Sequence, residues 1–176
     1  MVCLKCRNAS GKKVEMMNDK AKDPVCGMQV SVDSLAIEYL GMHFAFCSQQ
    51  CLDRFNANPH LYIGLPGEKA PVQKGEEIIK RRSFRLEQPL TDAEVWILRE
   101  ELGAMMGIKQ IEVVADVIAI TYDLLQATAE QIEARIGEVG VRLGAGWQER
   151  LQRAFVHYFE DCEVANLEIK PHLGHH

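Results

Sequence analysis

Three cysteines at fixed spacing constrain the fold of this chain more than any other feature of its sequence. Cys26 lies in the segment Asp-Pro-Val-Cys-Gly-Met at residues 23–28, and Cys47 and Cys51 lie four residues apart in Phe-Cys-Ser-Gln-Gln-Cys at residues 46–51. Side chains four residues apart share one face of a helix, so Cys47 and Cys51 can point together. Thiolates select zinc, Cu(I) or cluster iron over hard cations. The spacing therefore predicts a soft-metal site with three thiol ligands in a hairpin-plus-helix unit, with room for a fourth group.

Length, charge and hydropathy set the broad class of the protein. A chain of 176 residues allows one large domain or two small ones. Its net charge of −5 gives no general electrostatic support to a nucleic-acid partner. We find no run of apolar residues long enough for membrane insertion and no export signal, so we expect a cytoplasmic protein. Disulfides are rare in that reducing compartment, so the six cysteines indicate metal ligands or core residues.

Alternating strand and helix patterns predict an α+β fold. A short hairpin and a helix capped by Ser48 follow Cys26. Further along, the pattern predicts strands at 83–86, 108–114, 117–122 and 141–143, with helices that begin after Thr91 and Thr128. This β-α-β-β-α-β order is the ferredoxin-like arrangement. The predicted parts are a flexible arm with a Cys-x-x-Cys (1–22), a β-hairpin/helix metal-binding domain (23–63), a linker (64–81), a ferredoxin-like domain (82–146), an extra C-terminal amphipathic helix (147–170) and a His-containing tail (171–176).

A wider pattern surrounds the three cysteines. Its further members are Tyr39, Gly41, Phe46, Ser48, Phe55, Asn58, Pro59 and Tyr62. Through these residues and the segment at 23–28, residues 23–62 resemble a YHS domain, of the TRASH-like metal-binding class. The resemblance implies heavy-metal binding through Cys26, Cys47 and Cys51. Such domains occur in copper and other heavy-metal handling proteins, including the cytoplasmic front ends of metal-pumping P-type ATPases.

The second unit resembles another family, but it lacks the metal-binding cysteines of that family. Through Gly107-Ile108, the strand at 117–123 and the helix at 130–140, residues 83–143 resemble a heavy-metal-associated domain. The family's Met-x-Cys-x-x-Cys metal loop is replaced here by Gln-Pro-Leu-Thr-Asp-Ala at residues 88–93. Because that loop has no thiol, the family's copper-binding role does not carry over. We expect a docking or dimerising role instead, with a homodimer as one alternative.

Four further side chains are candidate ligands of the metal. Cys3 and Cys6 form a Cys-x-x-Cys that could supply a fourth ligand or pass metal on, although two incidental thiols are an equal alternative. Met28 offers a thioether, which favours Cu(I), but it can also simply pack. His43 could be the fourth ligand, yet a lone histidine on a strand is more often a surface or core residue.

The C-terminal region carries an apolar stripe and several other candidate groups. Trp147, Leu151 and Phe155 lie near one face of the predicted helix, together with two further aromatic residues. This face predicts contact with the preceding sheet or with a partner subunit. Cys162 is interpreted as a core or interface thiol. The terminal histidines, which can bind metal weakly, are His172, His175 and His176.

The sequence shows no catalytic constellation, so we do not expect an enzyme. It has no Gly-rich phosphate loop, no nucleophile elbow and no His-Glu-x-x-His helix. We predict a binding protein for copper, as Cu(I), or zinc that acts as a metal chaperone, buffer or tolerance factor. Its partners would be the metal ion and a metal-transporting ATPase or another metal-handling protein. Three alternatives stay open: a structural zinc interaction module, an ATPase front end acting in trans, and an iron–sulfur or redox protein.

Overall fold

The computed structural model describes residues 20–169, which fold into two α+β units joined by a short segment. The first unit holds two small antiparallel hairpins followed by two helices. Lys20–Lys22 was predicted as part of the flexible arm, but it forms the first strand by pairing with Gln29–Ser31. The elements of this unit are β1 (Lys20–Lys22), β2 (Gln29–Ser31), β3 (Ala36–Tyr39), β4 (Met42–Ala45), α1 (Gln49–Ala57) and α2 (His60–Ile63).

A two-residue turn joins β3 to β4. Leu40 and Gly41 form it, both with positive φ, 52° and 75°. Two such residues make the tight hairpin turn whose twist matches that of the flanking strands. The predicted cap of α1 is confirmed, because Ser48 Oγ accepts a 3.3 Å hydrogen bond from Cys51 N. Asn58 ends α1, and Pro59 stands at the N-cap of the short α2.

The second unit is a three-stranded antiparallel sheet, with one helix between its first two strands in the chain and two helices after its last strand. The sheet order is β5-β7-β6. Both predicted capping boxes, Thr91 with Glu94 and Thr128 with Gln131, are confirmed. The elements are β5 (Ile79–Arg85), α3 (Asp92–Gly103), β6 (Ile108–Val114), β7 (Val117–Asp123), α4 (Ala129–Glu138) and α5 (Trp147–Ile169), and a single 3-10 turn at Val72–Lys74 precedes them.

Two predictions for this unit need correction. Its first strand begins at Ile79, so the last residues of the predicted linker are strand. The strand predicted at 141–143 is reduced to one isolated bridge between Leu86 and Leu143. The segment is short because Gly140, with φ of 82°, ends α4 just before it and two more glycines follow at 144 and 146. The structure therefore shows an α+β fold in which the sheet of the second unit has three strands within the described residues.

Helix α5 lies beside β5, where it is held by polar contacts. Lys80 Nζ of β5 donates a 2.8 Å hydrogen bond to Glu163 of α5. The buried Glu160 accepts from the Tyr122 hydroxyl and forms an ion pair with Arg82 at 3.4 Å. Burying a carboxylate is costly unless it is paired and hydrogen-bonded, and Glu160 is both. These contacts fix which side of α5 faces the sheet.

The two units share one continuous hydrophobic cluster. Phe55 and Leu61 of the first unit belong to it, as do Leu98 and Ile120 of the second, and all four are fully buried. Tyr62 also donates a 2.7 Å hydrogen bond from its hydroxyl to Leu125 O. The first unit is therefore packed against the second. None of the helices between residues 20 and 169 combines the length and apolar character needed to cross a bilayer.

Candidate metal centre

The structure brings the three predicted cysteines together. Cys47 Sγ lies 3.5 Å from Cys26 Sγ and 3.5 Å from Cys51 Sγ. An oxygen of Asp23 joins them, and all four ligand atoms lie within 4.8 Å of one another. Sulfurs bound at ~2.3 Å to one tetrahedral ion would be about 3.8 Å apart. The three thiols are therefore spaced for a single ion with little rearrangement.

Two separate pieces of backbone position these thiols. Cys26 lies in the loop between β1 and β2, which the hydrogen bond from Asp23 N to Met28 O closes at 2.9 Å. Gly27, with φ of 77°, lets this loop turn directly after the thiol. Cys47 follows β4, and Cys51 lies in the first turn of α1. The capped start of that helix presents the second and third thiols to the first.

Asp23 is the member of the site that the sequence reasoning missed. Its carboxylate is fully buried and accepts hydrogen bonds from three backbone N–H groups. Oδ1 accepts from Val25 N at 2.8 Å and from Cys26 N at 3.3 Å, and Oδ2 accepts from Cys47 N at 2.8 Å. Burial acts to raise the pKa of Asp23, but these hydrogen bonds outweigh it and hold the pKa below its usual value. A signal was present, since Asp23 stands three residues before Cys26 in the same motif.

Burial favours the protonated form of two of these thiols, Cys26 and Cys51, by raising the pKa of each. Burial raises the pKa of Cys26 to about 12, and the Cys47 thiol and the negative charge of Asp23 add to the effect. Burial also raises the pKa of Cys51 far above its usual value. Because a bound metal needs thiolate ligands, an ion entering this site must displace protons.

The remaining candidate residues are exposed, lie outside the cluster, or fall outside the described residues. His43 is exposed on β4, where it pairs with Glu38 of β3, and it is not in the cluster. Met28 is exposed at the end of the Cys26 loop. Cys162 lies on α5, also outside the cluster. The predictions for Cys3, Cys6, His172, His175 and His176 fall outside residues 20–169.

Helix α1 carries one ligand and also holds the second unit. Gln50 Nε2 donates to Met106 O at 3.1 Å and to Gln126 O at 3.2 Å, and Gln50 Oε1 accepts from Met106 N at 3.2 Å. One turn later, Arg54 Nη2 donates to Leu124 O at 2.8 Å. The helix is therefore fixed between the thiol cluster and two loops of the second unit.

Comparison with known families supports the assignment of the first unit. Residues 21–65 match the YHS domain family. This match confirms the resemblance predicted for residues 23–62, and it surrounds all four members of the cluster. The chain matches none of the curated proteins with which it was compared. The matched region ends before β5, so the resemblance of residues 83–143 to a heavy-metal-associated domain stays a prediction.

The ligand chemistry of the cluster and the family match support the same kind of site. The region that matches the YHS domain family holds three thiols and one carboxylate, close enough to share an ion. Thiol-rich groups of this kind bind soft or borderline metals. Both observations support metal binding by the first unit.

Proposed function

We propose that this chain is a heavy-metal-binding protein that holds one soft ion through Cys26, Cys47 and Cys51, with Cu(I) as our first assignment. It would act in metal handling as a chaperone, buffer or tolerance factor, and as a binding protein it would carry out no catalytic step. The observation that carries the proposal is the set of 3.5 Å distances that join the three Sγ atoms. A metal-transporting ATPase as the recipient of the ion stays a prediction.

The unequal burial of the three thiols supports an exchangeable site. Cys51 is fully buried, whereas Cys26 and Cys47 are only partly buried. An incoming thiol from another protein can therefore approach the ion from the side of Cys26 and Cys47. Exchange by associative ligand swap needs such an open side, because the new ligand binds before an old one leaves.

We assign a docking role to the second unit, as a heavy-metal-associated-like domain that has lost its ligands. The support is its element order, its β5-β7-β6 sheet and the absence of thiols from the loop between β5 and α3, at residues 86–91. The loops around Met106 and Gln126 receive the side chain of Gln50. The second unit would thus support the helix that carries Cys51.

The test is to measure bound metal in the full chain and in matched cysteine variants. The chain is purified without oxygen and without a metal-affinity step, from cells grown with copper, and its metal content is measured by elemental mass spectrometry. We expect close to one copper per chain. The Cys26→Ser/Cys47→Ser variant should lose it, and Cys162→Ser, whose thiol lies outside the cluster, should keep it. Metal-free protein in all three preparations, with unchanged folding, would overturn the proposal.

A second candidate function is a structural zinc module. Three thiolates and the Asp23 carboxylate together carry four negative charges, which a divalent ion offsets better than a monovalent one. In addition, α1 makes both the site and the contacts with the second unit, so an ion there would stabilise that packing. Zinc that stays bound during days of chelator treatment would favour this role. Rapid transfer of copper to a Cu(I) chelator would favour metal handling.

A further inference from the structure

One side of helix α5 packs against the rest of the second unit, and the opposite side is exposed. On the inner face, Glu160 and Val164 are buried against the rest of the second unit. The outer face is apolar and exposed. We call it the α5 face, and it consists of five large side chains that are 49 % to 73 % exposed: Trp147, Leu151, Phe155, Tyr158 and Phe159.

The spacing of these residues shows that they form one stripe along the helix. Trp147, Leu151, Phe155 and Phe159 are each four residues apart, and Tyr158 lies beside the last of them. Residues at this spacing stay on one side of a helix over several turns. The stripe lies opposite the side that carries Glu160. It is therefore a continuous surface rather than a set of scattered side chains.

The size of the α5 face is sufficient for an interface between two copies. Buried aromatic side chains each contribute about 200 Å². With four aromatic residues more than half exposed, one copy presents roughly 500 Å², as large as the largest apolar patch on a typical monomer. Two such faces in contact would bury on the order of 1,000 Å² in total, which is the lower limit for a specific interface.

We propose that the α5 face binds the α5 face of a second copy of this chain, with the two helices antiparallel about a two-fold axis near Phe155. In this arrangement Phe155 meets Phe155 of the second copy, and Leu151 meets Phe159 of the second copy. A two-fold interface requires a surface that complements itself. The α5 face meets this requirement, because large apolar residues flank Phe155 on both sides.

The charges beside the stripe favour the same arrangement. Arg150 and Asp161 are both exposed, and neither makes an ion pair with any residue of the described range. They are separated by eleven residues, which is about three helical turns, so they lie on the same flank of α5. The midpoint between them falls between Phe155 and Val156. A two-fold axis there would place each Arg150 opposite Asp161 of the second copy, giving two equivalent ion pairs.

The first test is the oligomeric state of the full chain, measured by sedimentation across a range of concentrations. We expect a dimer at concentrations on the order of tens of micromolar. Phe155→Lys should weaken association at least about tenfold, since it places two like charges at the centre of the interface. Trp96→Lys is the matched control, because Trp96 is also an aromatic residue more than half exposed, and it lies on α3. It should leave the dimer unchanged.

A charge exchange tests the orientation of the helices. Arg150→Asp and Asp161→Arg each place like charges opposite each other in their own dimers, so each variant alone should dimerise more weakly. A mixture of the two variants should form mixed dimers in preference to either homodimer, and the double variant should recover wild-type association. These results depend on the surface of α5 and not on metal binding, so they stand apart from the proposed function.

Two results would overturn the proposal. One is a chain that stays monomeric up to the highest concentration measured, which would leave another segment or another protein as the cover for the α5 face. The other is a dimer that neither Phe155→Lys nor the single charge variants weaken, while circular dichroism shows that the variants fold. That dimer would use a different surface.

Discussion

Asp23 Oδ2 accepts a 2.8 Å hydrogen bond from Cys47 N, and this bond connects two segments of the site that are 24 residues apart in the chain. The same carboxylate organises the loop that carries Cys26 through its bonds with Val25 N and Cys26 N. One buried acidic side chain therefore fixes the positions of two thiols. Replacing Asp23 should therefore disturb the site even when all three cysteines are kept.

We predict that Asp23→Asn lowers the free energy of unfolding of the metal-free chain by about 1–3 kcal/mol, since a neutral amide cannot accept all three hydrogen bonds. Asp33→Asn is the control, because Asp33 is an exposed aspartate of the same unit. It should change the free energy by less than about 0.5 kcal/mol. Urea unfolding measures both, and equal effects of the two variants would contradict the assigned role.

The contribution of Asp23 to stability should also depend on pH. The folded chain holds the pKa of this group below its ordinary value of 3.8, so folding favours its ionised form. The stabilisation is then fully present above the unfolded pKa and is lost as pH falls through the lowered folded pKa. The difference between wild type and Asp23→Asn should therefore be constant near neutral pH and shrink below pH 3.8. A difference that grows in acid would contradict this.

Metal affinity should rise with pH. Burial raises the pKa of Cys26 to about 12, so its thiol is protonated in the metal-free chain at neutral pH and must lose its proton to bind. Each proton released makes the apparent affinity rise about tenfold per pH unit. Competition with a chromophoric chelator at pH 6.5, 7.5 and 8.5 measures the slope. An affinity that is constant over this range would contradict ligation by these thiols.

The contact between α1 and the second unit can be tested with two neighbouring glutamines. Gln50→Ala leaves the backbone groups of Met106 and the carbonyl of Gln126 without this partner, and it should cost about 1–3 kcal/mol. Gln49→Ala removes only an exposed contact with Asp53 and should cost less than about 0.5 kcal/mol. Thermal unfolding compares them, and an equal loss for both would show that Gln50 does not hold the two units together.

Gly107 joins α3 to β6 in a conformation that other residues avoid. Its φ is 83°, and a Cβ there would lie 2.7 Å from Gln126 Cβ. Gly107→Ala should therefore destabilise the chain by more than about 1 kcal/mol. Gly103→Ala, at the end of α3 where the space around a Cβ is open, should be neutral or slightly stabilising. A neutral Gly107→Ala would show that the loop adjusts easily.

Local chemistry made parts of this structure predictable from sequence. Ser48, Thr91 and Thr128 each stand at the start of a helix where a side-chain oxygen is needed to accept from the backbone, and all three cap as predicted. The thiols of Cys47 and Cys51 also follow from local geometry, because helical spacing brings them together. Cys26 was included because three thiols close together in the chain suit one soft metal ion, and the YHS resemblance implied the same role. Its contact with Cys47 spans 21 residues, so local geometry alone does not predict it.

The features that were missed depend on pairings that no pattern within a single segment reveals. Asp23 accepts a hydrogen bond from Cys47 N, a contact across 24 residues that no local pattern reveals. The segment at 141–143 alternates like a strand, yet the glycines on either side leave it room for one bridge with Leu86. Lys20–Lys22 reads as a polar arm, and it becomes a strand only because Gln29–Ser31 returns beside it. Such pairings are set by tertiary packing.

The most direct test of the central claim is X-ray absorption at the metal edge of the full chain, loaded with one equivalent of Cu(I) or zinc. We predict three sulfur neighbours per ion at about 2.3 Å, and a loss of sulfur scattering in Cys26→Ser/Cys47→Ser. If the chain retains its fold but the coordination shell consists of nitrogen and oxygen alone, the result would contradict metal binding by Cys26, Cys47 and Cys51.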